Sequence, residues 1–92
     1  MSKTNIRDFA EKYALPGFYL DIKNRYCIIV NNKLISAFNN SDTGDIDVCI
    51  DMLSSRGMFE QNIAWETPVT DSDVIHTINK FVLACASRPE HI

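Results

Sequence analysis

The sequence predicts an α+β domain in which helices pack on an antiparallel sheet of three strands, with a fourth strand as an open alternative. The first observation is the stretch from Phe18 to Phe38, which is rich in aromatic and β-branched residues and contains two Asn-bearing turns. The second is a helical apolar period before and after this stretch. The predicted order is α-β-β-β-α-(β)-α, and 92 residues allow one compact domain over 1–92.

A first helix is predicted over residues 4–14. Thr4 is the expected N-cap, and Pro16-Gly17 ends the helix and turns the chain into the first strand. The apolar residues at helical spacing on one face are Ile6, Phe9, Ala10 and Tyr13.

The central stretch predicts three strands joined by two-residue turns at Asn24-Arg25 and Asn31-Asn32, because Asn tolerates the left-handed conformation that tight hairpins need. Turns of this length place Lys23 opposite Tyr26 and Val30 opposite Lys33, and the register then assigns each side chain to a face. We expect one face to be the core face, with Phe18, Leu20, Ile22, Cys27, Ile29, Leu34, Ser36 and Phe38. The other carries Tyr19, Asp21, Lys23, Tyr26, Ile28, Val30, Lys33, Ile35 and Ala37.

The second half begins with a turn-rich loop, Asn39 to Asp45. Ile46, Cys49, Ile50 and Leu53 then repeat at helical spacing before Gly57, which favours a helix, although alternation with aspartates keeps a strand open. Residues 58–66 form either a short edge strand or a loop that places Trp65 against the core. Thr70 opens a final helix with an acid three residues later, and the helix extends to about residue 86.

The predicted core is formed between the first sheet face and the helices. It contains Phe9, Leu20, Ile29, Leu34, Ile78 and Phe81.

Composition excludes several classes of protein. There is no apolar run of membrane-spanning length and no charged-then-apolar leader, so we expect neither a membrane protein nor an exported one. Cys27, Cys49 and Cys85 are odd in number and lie in apolar patterns, which is typical of buried thiols in a reducing cytoplasm. Residues 1–40 carry six basic and three acidic side chains (+3), whereas residues 41–92 carry three basic and nine acidic ones (−6).

No residue pattern indicates a reaction centre, a metal site or a cofactor. His76 and His91 lack further ligands at zinc spacing, and an EF-hand loop centred on Gly44 would place its closing acid at Ile50. The glycines are scattered, so there is no phosphate-binding loop, and the cysteines lie on apolar stripes. We therefore expect a protein that is not an enzyme.

One candidate binding site surrounds the two hairpin turns. Basic residues interleaved with aromatic ones can hold a nucleic-acid backbone and stacked bases, although lysines on a meander also protect sheet edges. The candidate partner-binding residues are Tyr19, Lys23, Asn24, Arg25, Tyr26, Asn32 and Lys33.

A short N-terminal helix that runs through Leu15-Pro16-Gly17-Phe18-Tyr19-Leu20 into an Asn-turned meander, in a small acidic chain, resembles the phage anti-CRISPR inhibitors of the type I-F (Csy) surveillance complex. The segment NIRDFAEKYALPGFYLDI contributes to this resemblance, which lies in general layout. It implies a non-enzymatic inhibitor in the cytoplasm of the infected bacterium. Such an inhibitor binds the assembled complex of Cas proteins and guide RNA, and target DNA is then excluded.

In that mechanism the basic turns contact guide RNA, while an acidic helix around Asp45, Asp47 and Asp51 meets protein donors. Two alternatives stay open. The first is a small nucleic-acid-binding or regulatory module, and the second is a homo-oligomeric accessory protein that associates through its second sheet face.

Overall fold

A five-stranded antiparallel sheet with two helices forms the domain, in a computed structural model that describes residues 5–20, 22, 24–53, 56–57 and 59–86. The helices are α1 (Ile6–Lys12) and α2 (Asp71–Ala86). The strands are β1 (Phe18–Leu20), β2 (Arg25–Val30), β3 (Lys33–Asn39), β4 (Ile46–Leu53) and β5 (Phe59–Glu66). They pair in chain order, so the α+β class and the antiparallel sheet are confirmed, whereas the expected number of strands and the order of elements are corrected.

Both helices begin at polar caps. The Asn5 side chain accepts a hydrogen bond from the backbone N–H of Arg7 at 2.8 Å, so Asn5 is the N-cap of α1, which was expected at Thr4. At α2, Asp73 donates its backbone N–H to Thr70 Oγ1, and the Thr70 N–H donates to Asp73 Oδ2. This reciprocal pair is the predicted helix opening, and it satisfies two donors that would otherwise lack a partner.

The segment from Ile46 to Leu53 is a strand, and the helix expected there is wrong. β4 pairs with β3 on one side and with β5 on the other. Residues 46–50 are buried throughout, because both edges of β4 are paired and both faces are covered by side chains. In a strand that is buried on both faces, apolar residues need not alternate with polar ones. The apolar residues of this segment can therefore fall at helical spacing although the segment is a strand. Of the alternatives left open for 58–66, the structure shows a strand over Phe59–Glu66, which is β5 and pairs with β4, while Met58 lies outside the described residues.

The β2–β3 turn has the predicted geometry, and the β1–β2 turn does not. Asn31 and Asn32 both have positive φ, and Val30 pairs with Lys33. In β1, however, Tyr19 lies opposite Tyr26, where Lys23 had been expected, because β1 ends at Leu20 and β2 begins at Arg25. The register differs from the expected one by four residues. An even shift leaves the predicted membership of the two faces unchanged.

The helices cover the opposite face of the sheet from the one we expected. α1 packs on β2 and β3, and α2 packs on β2, β3 and β4. The side chains beneath them come from the second predicted face and from β4: Tyr26, Ile28, Val30, Ile35, Ala37, Ile46, Val48 and Ile50. Phe9, Ile78 and Phe81 are buried as predicted, whereas Leu20 and Ile29 are exposed and Leu34 is only partly buried.

The physical reason for the choice of face is side-chain size. Cys27, Ser36 and Cys49 form a row of small residues across the middle of the uncovered face. On the other face the corresponding central positions carry large side chains such as Ile35 and Tyr26. Because a helix packed on a sheet must fill about 10 Å between backbones, the face with larger central side chains offers more buried apolar area.

The first prediction concerns the covered face. Replacing Ile35, which is buried under the helices, by Ala should lower the free energy of unfolding by about 2–5 kcal/mol, because it removes buried methyl groups and leaves a cavity. The same truncation at Ile29, which is exposed on the other face, should cost less than about 1 kcal/mol. Urea unfolding of both variants measures the difference. Equal losses would contradict the assignment of faces.

The second prediction concerns α2. Phe81 is buried against the sheet, so Phe81→Ala should cost about 3–5 kcal/mol, a large part of the stability of a small domain. Leu83 is exposed on the same helix and provides the control, because Leu83→Ala should change stability by no more than about 0.5 kcal/mol. Thermal unfolding followed by circular dichroism checks both. An unchanged midpoint for Phe81→Ala would show that the helix presents another face to the sheet.

Candidate interaction surface

The face of the sheet that points away from both helices is the candidate functional surface, and we call it the open face. The strand register places on it side chains from all five strands. They are Phe18, Leu20, Arg25, Cys27, Ile29, Leu34, Ser36, Phe38, Asp47, Cys49, Asp51 and Trp65. Phe18, Ile29 and Trp65 are each about half exposed, at 47%, 54% and 51%. Large apolar side chains thus remain in contact with solvent from β1 to β5.

Three side chains of the open face form a stacked row. The guanidinium carbon of Arg25 lies 4.3 Å from the centre of the Phe38 ring, which is cation–π distance. The Phe38 ring meets the Trp65 ring nearly edge to face, with centroids 5.5 Å apart and planes at 85°. The row reaches from β2 to β5 and crosses β4, where Asp47 and Cys49 lie on the same face and are buried.

Two carboxylates lie on β4 within the same face. Asp47 is buried and accepts hydrogen bonds from Asn40 Nδ2 at 3.0 Å and from Thr67 Oγ1 at 2.8 Å. Asp51 accepts one from Asn62 Nδ2 at 3.0 Å. These acids had been expected on a helix together with Asp45. Alternation along the strand instead places both on the open face, Asp47 level with Phe38 and Asp51 level with Leu34.

The thiols of the open face are held in their neutral form. Burial raises the pKa of Cys49 to about 11, with a further increase from the nearby charge of Asp51 and a partial decrease from that of Arg25. Burial also raises the pKa of Cys27, and this is partly offset by the Ser36 side chain and the Arg25 charge. The thiol is the weak form of a cysteine nucleophile, so neither position is set up for covalent chemistry at neutral pH.

The predicted partner-binding residues do not form one cluster. Tyr26 is buried beneath the helices, and burial raises its pKa to about 12. Within the described chain its hydroxyl has no hydrogen-bond partner. Tyr19 packs on the same side, where its ring lies 5.5 Å from the Arg7 guanidinium carbon and its hydroxyl donates to Asn24 Oδ1. Lys23 lies outside the described residues. Arg25 is the member of the predicted set that reaches the open face.

The two turns that carried this prediction lie at opposite ends of β2. Arg25 begins the strand and Val30 ends it, and six extended residues separate the two ends by roughly 17 Å. Antiparallel strands joined by consecutive hairpins always place successive turns at opposite ends of the sheet. Lys33 therefore lies far from Arg25, and a partner that touches both turns must span the length of the strand.

The β2–β3 turn instead secures the end of α2. Asn31 Nδ2 donates to the carbonyl oxygen of Cys85 at 2.8 Å and to that of Ala86 at 3.5 Å. These carbonyls belong to the last helical turn and lack intrahelical partners. The charge of Lys33 also acts on this region, since it partly offsets the effect of burial that raises the pKa of Cys85. Asn32 is exposed at the same turn.

Sequence reasoning missed the exposed aromatic residues of the open face. Phe18 and Phe38 had been assigned to the core, and Trp65 to an edge strand or a loop. The signal in the sequence was the pair of small residues Cys27 and Ser36 on the face that had been assigned to the core. Small side chains offer a covering helix little apolar area to bury.

The described residues contain no group of three or more His, Cys, Asp and Glu placed to hold a metal ion. His76 is exposed on α2, and His91 lies outside the described residues. Of the two helices, neither is long and apolar enough to cross a membrane.

The third prediction follows from the buried thiols and Tyr26. The unfolded Cys49 thiol ionises at its ordinary pKa of 9.0, whereas the native thiol requires about 11. The contribution of this thiol to stability should therefore be constant below pH 9 and be lost as the pH rises beyond it, because the unfolded state loses protons first. Tyr26, whose pKa rises from 10.0 to about 12, extends the loss. Chemical unfolding across this range measures the slope, which Cys49→Ala should reduce. An equal slope in that variant would contradict the assignment.

The open face therefore joins exposed apolar side chains, a fixed row of Arg25, Phe38 and Trp65, and two held carboxylates. Aromatic residues and arginine are the types that protein interfaces concentrate. No protein-family model, curated protein or solved structure matches this chain.

Proposed function

We propose that this chain is a non-enzymatic inhibitor that binds the type I-F complex of Cas proteins and guide RNA in the bacterial cytoplasm and prevents binding of target DNA. The choice of partner rests on the resemblance to the anti-CRISPR inhibitors. The observation that supports a binding role is the uncovered sheet face with its stacked Arg25, Phe38 and Trp65. The open face replaces the two hairpin turns as the proposed contact surface.

The stacked row suits tight binding for two physical reasons. Tryptophan, tyrosine and arginine dominate the energetics of interfaces when they lie at the centre of a contact. In addition, Arg25 and Phe38 hold each other before any partner arrives, and they project from central strands of a paired sheet. Less side-chain entropy is then lost on binding than for a free arginine on a loop.

Inhibition by this surface would be occlusion. A domain seated on the complex fills the space that target DNA needs, and no bond is made or broken in either partner. The neutral thiols of Cys27 and Cys49 are consistent with this, since nucleophilic chemistry would need the thiolate.

The charges of the open face favour a protein contact over free nucleic acid. Arg25 is accompanied there by the carboxylates of Asp47 and Asp51, which repel phosphate. Nucleic-acid surfaces combine stacking residues with several cations, and the described part of the open face carries one. The alternative of a nucleic-acid-binding module is therefore less well supported. The homo-oligomeric alternative was expected to use the second sheet face, which the helices cover, so association of copies through a sheet face would have to use the open face instead.

The fourth prediction compares two basic residues at opposite ends of β2. Arg25→Ala should weaken binding to the purified surveillance complex at least about tenfold, because it removes a desolvated arginine and its cation–π contact. Lys33→Ala provides the matched control, since Lys33 lies at the far end of the strand on the helix side, and its affinity should stay within about twofold. Surface plasmon resonance gives both affinities, and a DNA-binding assay on the same complex gives inhibition.

Both variants must first retain the parental melting temperature. Equal weakening by the two substitutions would restore the hairpin turns as the contact surface. Parental affinity in Arg25→Ala would exclude the stacked row. A parent protein that does not bind the complex at all would refute the proposed function itself.

A further inference from the structure

We infer that in the free protein the open face is covered by a second copy of this chain, as a homodimer with sheet packed on sheet. The dimer itself is argued from the geometry of the face. Its regulatory consequence rests on the proposed function, because the same surface would meet the surveillance complex.

The first argument is the exposed apolar area. Phe18, Leu20, Ile29 and Trp65 are all large hydrophobic residues of the open face with substantial exposure, and they come from β1, β2 and β5. Phe38 and Leu34 lie between them on β3 and are partly exposed. Monomeric proteins rarely leave contiguous apolar patches larger than a few hundred Å² in water.

The second argument is the size of the face. The five strands contain 3, 6, 7, 8 and 8 residues, which is about six on average. At about 4.8 Å between strands and 3.3 Å per residue they make a face of roughly 24 by 20 Å. Each copy would then bury about 500 Å², and the pair about 1,000 Å², which reaches the lower limit for a specific interface. Two sheets whose side chains interdigitate at about 10 Å form the ordinary packing of a β-sandwich.

The third argument is self-complementarity. A two-fold axis parallel to the central strand β3 lays β2 of one copy over β4 of the other. By register, Arg25 then lies over the end of β4 that carries the buried Asp47, and Ile29 lies over the end that carries Asp51. In the same arrangement β1 with Phe18 lies over β5 with Trp65. The pairing of Arg25 with Asp47 and the apolar pairing of Phe18 with Trp65 thus each occur twice in the dimer.

The alternative axis, perpendicular to the strands within the interface, is less favourable. It lays each β4 on the β4 of the second copy, with the end that carries Asp47 over the end that carries Asp51. Like charges would then oppose each other in a partly desolvated layer. The charge pattern therefore selects the axis along β3.

Dimerisation and partner binding would then compete for one surface. A complex that binds the open face must first release the second copy, so the apparent affinity falls as the concentration of free protein rises above the dimer dissociation constant. The dimer also shields the exposed apolar side chains before the partner is met.

The fifth prediction is the mass of the free protein. Sedimentation velocity over a dilution series should show a species of twice the mass of one chain that dissociates on dilution. Ile29→Glu should weaken self-association at least about 30-fold, because it buries a carboxylate opposite β4 of the second copy, close to Asp51. Leu83→Glu is the control, since Leu83 is equally apolar but lies exposed on α2, away from the open face, and this variant should remain dimeric.

Trp65 provides a second measurement that needs no substitution. It is the single tryptophan of the chain and lies on the open face, half exposed in one copy. Its emission should shift to longer wavelength on dilution, and acrylamide should quench it more strongly, because the dimer removes the ring from water.

A parent protein that is monomeric at every concentration overturns the dimer, and so does an Ile29→Glu variant that folds and still dimerises. Emission of Trp65 that is independent of dilution while the mass changes overturns the open face as the interface. These measurements involve no surveillance complex, so they are separate from the proposed function. A dimer that never binds the complex refutes only that function, and a monomer that binds it refutes only the dimer.

Discussion

The packing of α1 and α2 on a single face of the sheet is the constraint on which the other features of this protein depend. Tyr26, Ala37 and Val48 are register neighbours on three adjacent strands, and all are buried beneath the helices. Burial of this layer supplies the main apolar stabilisation available to a chain of 92 residues. Because both helices pack on this face, no further helix in the described chain can cover the opposite one. The open face therefore contacts solvent or another molecule.

The open face meets water without losing its order, because its own side chains cover its centre. Cys49 and Ser36 at its centre are buried, and Arg25, Phe38 and Trp65 contact one another in a row. Asp47 is held by hydrogen bonds from the flanking segments. The surface is therefore rigid, in the sense that its aromatic and charged groups already have neighbours. A rigid apolar surface is well suited to association, and it is also the reason that a second copy and a larger partner would compete for the same place.

The ends of the sheet have different roles, and the hairpin turns show this clearly. Asn31 adopts the left-handed backbone that its local sequence favours, yet its side chain is used to cap the carbonyls of Cys85 and Ala86 at the end of α2. At the other end Asn24 accepts a hydrogen bond from Tyr19. Turn residues that looked available for a partner thus include ones that stabilise the fold. The basic residues near them are divided between the two ends of β2, so proximity in sequence did not become proximity in space.

The sequence by itself determined the features that depend on local chemistry. The capping pair of Thr70 and Asp73, the apolar stripe of α2, the Asn31-Asn32 turn and the division of β2 and β3 into two faces all follow from near neighbours along the chain. The tertiary structure alone decided that Ile46–Leu53 is a strand, since its two-sided burial comes from pairing with β3 and β5. It also decided which face the helices cover. Both faces are apolar, and the choice depends on how much side-chain volume all of the strands present together, which no single segment of the sequence contains.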